Sequence, residues 1–281
     1  MNDRNFRTKV AGLLGPRKVA YHGRKLHRDS GLTVPALSKR VEAFIIHLAR
    51  AEKRKPQVDL LTTQLPMPVH VLDAVDGSAL EARQIEAVYR RELHRPHYPF
   101  ALRTAEIGCF LSHRKAWKAI VDRGLDAGLI VEDDVELDAD RFGQVLAAAL
   151  KAVQPTDFIR FPYRRYTDRG LRTAIGDGGA LVEPSFVGLG MQMQLVGRQA
   201  AIEFLKSTEV FDRPVDTMIQ MRWLTQARIL AAKPVCIRHI HERLGGTVTQ
   251  NKAKPLREIL SREIRRAFYR LSQRAAALGK R

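Results

Sequence analysis

Residues Gly128–Asp134 read GLIVEDD, an unbroken apolar run that stops on three acids. Such a run makes a buried strand, and a strand covered on both faces needs a sheet held between other layers. The flanking segments supply candidates for both sheet and layers. VEAFIIH (41–47) and VHVLDAVDG (69–77) read as strands, the second ending in an Asp-Gly turn. A charged helix starts near Arg50 and is interrupted or restarted at Pro56, and others are predicted over 79–93, from Thr104 to Asp122, and after a cap at Asp138 or Asp140. DFIRFPY is one more strand, and Arg169–Gly179, with GDGG at its end, reads as a flexible loop. Helices over Arg198–Lys206 and Asp216–Gln226 and strands near Arg228–Ala232 and Val235–His241 complete the pattern. Strands alternating with helices predict an α/β fold built on an open, mostly parallel sheet.

The formal net charge of +18 is unevenly spread. Residues 1–40 and 252–281 each hold ten Lys+Arg against two acids, so the middle of the chain carries only +2. A nucleic-acid reader should carry its positive face on the folded module itself, which excludes nucleic acid as the expected partner. Basic ends around a near-neutral centre fit an anionic surface, such as phospholipid headgroups or a phosphorylated acceptor. No stretch approaches the roughly 20 apolar residues of a spanning helix, and MNDRNFRTKVAGLLGPRK lacks the apolar core of a secretory signal. Cys109 and Cys236 form no CxxC pair; both are expected to be buried, inert thiols in a cytoplasmic protein.

Ligands of open α/β sheets bind beyond the carboxyl ends of the strands, where Glu132, Asp133 and Asp134 fall. In extended backbone Glu132 and Asp134 share a side while Asp133 points away. Packed acids repel unless a cation or strong donors neutralise them, so Glu132 and Asp134 are candidate ligands for a hard divalent ion. A strand end entering solvent explains the same acids without a metal. His239 and His241 alternate in a late strand and are a candidate imidazole pair, or one of them a late ligand on the same ion.

The stretch TAEIGCFLSHRKAWKAIVDRGLDAGLIVEDDVEL (104–137) closely resembles the signature of glycosyltransferase family 25, which makes lipooligosaccharide in bacteria and has relatives that galactosylate collagen. Glu106, Gly108, Cys109, Ser112, His113, Trp117 and Glu132–Asp134 carry the match; AFIIHLARAEKR, LDAVDG, GLGMQMQLVGRQAAIEFL and RPVDTMI extend it to about residues 41–241. The resemblance implies a GT-A-like fold with helices on both faces of the sheet. It divides the chain into a basic extension (1–40), a catalytic domain (41–250) and a basic amphipathic helix (251–281). It further implies an inverting hexosyltransferase using UDP-galactose, with Mn²⁺ or Mg²⁺ held by Glu132 and Asp134. Donor contacts are expected at Leu48, Arg50, Arg54, Asp76 and Asp133, the last on ribose or structural duty. Ser112 and His113 are substrate-contact candidates, and Asp216 or Glu106 is the candidate base. One departure stands out: the family carries Asn-Leu after its first strand, whereas this chain has His47-Leu48.

The last segment places Leu256, Ile259, Leu260, Ile264, Ala267, Phe268, Leu271, Ala275 and Leu278 on one helical stripe, with most arginines outside it. It is expected either to lie on an anionic inner leaflet, where a lipid-linked acceptor would be presented, or to dock on the domain. A non-catalytic membrane- or polyanion-binding protein on a degenerate α/β scaffold and a metal-dependent phosphotransferase are the competing readings.

Overall fold

The structure is a computed structural model describing residues 39–164, 168–176, 178–245 and 256–279, with side chains of the last helix described over 263–277. The expected N-terminal extension therefore lies outside the described residues, except Lys39 and Arg40. Ten strands are described: β1 (Val41–His47), β2 (Val69–Asp73), β3 (Ala127–Glu132), β4 (Val135–Leu137), β5 (Asp157–Arg160), β6 (Gly170–Gly176), β7 (Gly179–Pro184), β8 (Met193–Gly197), β9 (Arg228–Lys233) and β10 (Ile237–His239). The α-helices are α1 (Lys55–Gln64), α2 (Ala82–Val88), α3 (Thr104–Asp122), α4 (Phe142–Ala152), α5 (Arg198–Ser207), α6 (Val215–Ile219) and α7 (Leu256–Gly279).

Eight strands form one open sheet in the order β2-β1-β3-β8-β5-β9-β7-β6. Six of them point the same way, and β8 and β7 run against the rest. Alternation along each strand sorts side chains between two cores. Ala43, Ile45, Leu129, Val131 and Ile159 pack with Val58 and Leu61 of α1 and Val145 and Leu146 of α4. Phe44, Ile46, Ile130 and Phe158 pack on the opposite face with Phe110, Trp117 and Ile120 of α3 and Phe204 of α5. Helices thus cover both faces of a mixed, mostly parallel sheet, as the unbroken apolar run of β3 demands.

Three local expectations need correction. The segment read as a flexible loop is an edge hairpin, with β6 pairing antiparallel to β7 from Gly170↔Pro184 to Gly176↔Gly179. Six of the seven β6 residues are exposed, so no apolar alternation marked it. The helix predicted over 79–93 is shorter, because Asp76 instead caps a 3-10 turn at Gly77–Ala79 by accepting from Ser78 N. Cys236 is buried but Cys109 is exposed, since α3 turns it toward the cleft at the end of β3.

The carboxy-terminal helix docks on the domain by a polar face. Tyr269 and Gln273 are buried, whereas Ile264, Phe268 and Leu271 of the apolar stripe are exposed. The anchor is Arg213, wholly buried, which donates to both Asp212 carboxylate oxygens (2.6 and 2.9 Å), to the carbonyls of His94 and Pro96, and to Tyr269 Oη at 2.7 Å. No helix among the described residues is long and apolar enough to cross a membrane.

Candidate functional site

The acids at the end of β3 are distributed by the alternation that sorts the cores. Glu132 follows the side of Ile130 and reaches α3, where His113 Nε2 lies 3.2 Å from its Oε1. Asp133 follows the side of Val131 and turns toward α1. There Arg54 Nη1 donates to it at 2.5 Å, and His47 Nδ1 lies 2.8 Å from its other oxygen. Asp134, one residue into the turn, contacts Arg54 at 3.2 Å and His239 Nε2 at 3.3 Å. The His239 contact comes from a short ribbon outside the main sheet, in which β10 pairs antiparallel with β4 and sets His239 opposite Val135. The ring of His239 stacks on that of His241, with centroids 4.3 Å apart.

These neighbours pull the carboxylates apart electrostatically. Burial and the nearby Asp134 charge push the Glu132 carboxyl up, against the hydrogen bond from His113. Burial also opposes ionisation of Asp134, but the His239 hydrogen bond and the charges of His239, Arg54 and His241 win and hold it down. The bond to Asp134 in turn raises His239. Asp134 Oδ1 is buried and accepts no hydrogen bond. An anionic oxygen without a donor beside a second carboxylate and an imidazole suits a divalent cation with oxygen and nitrogen ligands. The tightest group of possible ligand atoms among the described residues is a different one: Cys109, His113 and Glu132 bring theirs within 4.8 Å of one another. Its thiol is a soft donor, better matched to zinc than to Mn²⁺ or Mg²⁺.

The other expected site residues divide into cleft-facing and supporting groups. Arg50 pairs with Asp76 at 2.6 Å, linking the segments that follow β1 and β2, and Leu48 starts the turn after β1, its carbonyl accepting from Ala51 N. Ser112 is turned inward; its hydroxyl donates to Gly108 O and accepts from Val75 N, fixing the loop after β2. His113 is equally buried, so its contact is Glu132. Both were expected as substrate contacts; they are 2% and 1% exposed, and the partners they have are Val75, Gly108 and Glu132. Glu106 closes a capping box at the start of α3 by accepting from Arg103 N. Asp216, in the first turn of α6, accepts from Gly190 N at 3.1 Å and lines an open cavity of about 820 Å³.

Glu132 and Asp134 are not in the wall of that cavity. Two of its lining residues neighbour them: the Tyr163 ring lies 5.2 Å from that of His239, and the Gln192 carbonyl accepts from Glu132 N. Opposite Asp216 the wall is α7, through Arg266, Tyr269, Arg270 and Arg274. A buried pair behind the cavity was not foreseen. Arg160 donates to Asp168 at 2.8 Å and to Leu189 O at 2.7 Å, and Gly188 N donates to the same Asp168 oxygen. The pair pins the Gly188–Gly190 loop that holds Asp216. A lone charge in a strand and another in a loop left no pattern to read.

Residues 41–168 match the family described as "Glycosyltransferase family 25 (LPS biosynthesis protein)". Procollagen galactosyltransferase 1 of Danio rerio is 37% identical over 100 residues, 34% of this chain and 17% of that protein. Procollagen galactosyltransferase 2 of Homo sapiens is 36% identical over a similar stretch, 34% of this chain and 16% of its own length. A human protein described as inactive glycosyltransferase 25 family member 3 is 35% identical over 107 residues, 37% of this chain and 18% of its own. The chain thus spans less than a fifth of the length of these relatives. The solved structure of mannose-1-phosphate geranyltransferase from Thermus thermophilus is a distant likeness, with a TM-score of 0.37 and 12% identity over 76% of this chain and 81% of that one. The match to glycosyltransferase family 25 covers residues 41–168, the stretch that holds the signature, the first strands of the sheet and the three acids.

Proposed function

We propose that the protein is an inverting, divalent-metal-dependent glycosyltransferase that moves galactose from UDP-galactose to a lipid-linked saccharide such as a lipooligosaccharide. The observation that carries this reading is the buried, unpartnered Asp134 Oδ1 set beside Glu132 and His239 at the carboxyl end of β3. Mn²⁺ or Mg²⁺ held by Glu132 and Asp134 would offset the charge developing on the departing UDP. His113 orients Glu132, and Arg54 with His47 fixes Asp133 at the ribose side. Leu48 and the Arg50–Asp76 pair frame the nucleotide end of the cleft. Asp216 is the base: the acceptor oxygen bonds to the anomeric carbon, the bond to UDP breaks, and the hydroxyl proton passes to the carboxylate. Glu106, occupied with its capping bond, is the second choice.

One similar protein is described as inactive, so membership of the family does not decide catalysis. The test is a thermal-shift screen of UDP-, GDP-, ADP- and CMP-sugars with and without Mn²⁺, followed by UDP-release assays on the full chain. A shift specific to a UDP-hexose, dependent on Mn²⁺ and lost in Asp134→Ala with an unchanged near-UV spectrum, is expected. Neither binding nor turnover of any UDP-sugar would leave the non-catalytic binding reading in its place.

The exposed Ile264, Phe268 and Leu271, flanked by arginines on α7, support peripheral attachment at the inner face of the cytoplasmic membrane. Co-sedimentation with phosphatidylglycerol vesicles, absent with phosphatidylcholine and lost in a Phe268→Ser, Leu271→Ser variant, is the expected result.

A further inference from the structure

The cavity between Asp216 and α7 has a charge that a neutral sugar does not call for. Arg164, Arg169, Arg266, Arg270 and Arg274 all line it, against two acids, Asp168 and Asp216. Asp168 is already consumed by the buried Arg160, so Asp216 is the remaining negative charge in the wall. Arg266, Arg270 and Arg274 recur every four residues, so one face of α7 is a row of guanidinium groups. Arg266 pairs with Glu263 and lies over the Phe100 ring, and Arg274 lies 5.1 Å over Phe186. Arg169 and Arg270 have no carboxylate partner among the described residues. Arg274, held over a ring and paired with no carboxylate among the described residues, keeps its forked donors for a planar or tetrahedral anion. Burying Tyr269 and Gln273 against the domain sets the exposed Arg266, Arg270 and Arg274 along the wall of the open cavity and leaves Ile264, Phe268 and Leu271 away from it. A helix placed only to cover a core would present the opposite face.

We propose that this cavity is an acceptor subsite for saccharides carrying anionic groups, phosphate or carboxylate, recognised by Arg270 together with Arg169, Arg266 and Arg274. The assignment rests on the glycosyltransferase reading, with the reacting hydroxyl at Asp216 and the anionic substituent toward α7. It names the acceptor class that the family match leaves open.

The test is calorimetric binding of glucose 6-phosphate and of glucose to the full chain, in the presence of Mn²⁺ and UDP. Wild type should bind the sugar phosphate more tightly than glucose. Arg270→Gln with Arg274→Gln should weaken the phosphate ligand by about tenfold or more, the scale of one lost charged hydrogen bond, while glucose affinity changes little. Arg265→Gln, which alters an exposed arginine outside the cavity wall, controls for general charge, and thermal denaturation checks folding. Equal affinity for the two sugars, or an equal loss in Arg265→Gln, would overturn the subsite. Phosphatidylglycerol vesicles provide the other arm: if they bind through Arg270 and Arg274 while glucose 6-phosphate does not bind, the arginines serve a lipid headgroup and the saccharide assignment falls. UDP-galactose binding, measured in the same samples, reports separately on the proposed activity.

Discussion

Replacing Gly108 with alanine sets two opposing effects against each other within α3. In a helix interior alanine is favoured over glycine by about 1 kcal/mol, so propensity alone predicts stabilisation. A Cβ at position 108, however, would lie 2.6 Å from Val75 O, 2.7 Å from Gly77 N and 2.9 Å from Gly77 Cα. All three atoms are backbone, and ordinary contact begins near roughly 3.5 Å, so helix and loop must separate by about 1 Å. The approach is tight from the other side as well, since a Cβ on Gly77 would meet Thr104 O at 2.0 Å. Overpacking of this kind costs about 1–3 kcal/mol, and three simultaneous backbone contacts put it at the upper end. The net loss is then about 2 kcal/mol, or a fall of about 4–8 °C in Tm for a domain of this size. Moving the loop also displaces Asp76 and its partner Arg50, so UDP affinity should weaken in the same variant. Thermal denaturation and UDP titration of Gly108→Ala measure the two effects. A Tm equal to or above wild type would show that the loop yields freely and that contact with α3 does not fix its position.

Arg213→Ala removes the cation that both oxygens of the buried Asp212 share, at a cost of about 3–5 kcal/mol. It also frees Tyr269, so limited proteolysis should cut within α7 sooner than in wild type. Trp117, fully buried between Phe110 and Phe204, should cost about 3–5 kcal/mol on truncation to alanine, seen as a lower denaturant midpoint with an unchanged slope. Arg50 and Ser78 hold the Asp76 carboxyl down to about 2. A depressed carboxyl contributes stability above its ordinary value near 3.8 and loses it as pH falls toward 2. Asp76→Asn should therefore be less stable than wild type at neutral pH, show a flatter acid limb between those values, and converge on wild type as pH nears 2.

The elements with a strong apolar period were legible in the sequence. The first strand VEAFIIH and the helix Thr104–Asp122 begin and end where their patterns do, because each packs against a core that rewards the period. The β6–β7 hairpin was not legible, since an edge strand with exposed residues has no buried face to write a pattern. Glu132, Asp133 and Asp134 stand out from their place after an apolar run, and His239 as a candidate ligand on the same ion, but the contacts that join them do not. His239 reaches Asp134 through a three-residue ribbon across about a hundred residues of chain, a pairing that local periodicity does not encode. The arginines of α7 were visible as a face, yet which face docks is decided by Tyr269 and Arg213, a contact 56 residues apart.

The sheet order has a consequence for the stretch that carries the family signature. Within residues 41–168, β3 has a partner on one side only, in β1; its other neighbour, β8, is supplied from residues 193–197. Strand β5 depends likewise on β8 and β9. A fragment ending at 168 would retain every signature residue yet present two apolar strands as raw edges, a template for intermolecular pairing. During synthesis the same holds until about residue 240 has emerged, when β9 closes the sheet and His239 arrives at the acids. The recognisable part of the protein therefore takes the neighbours of two of its strands from residues 193–233.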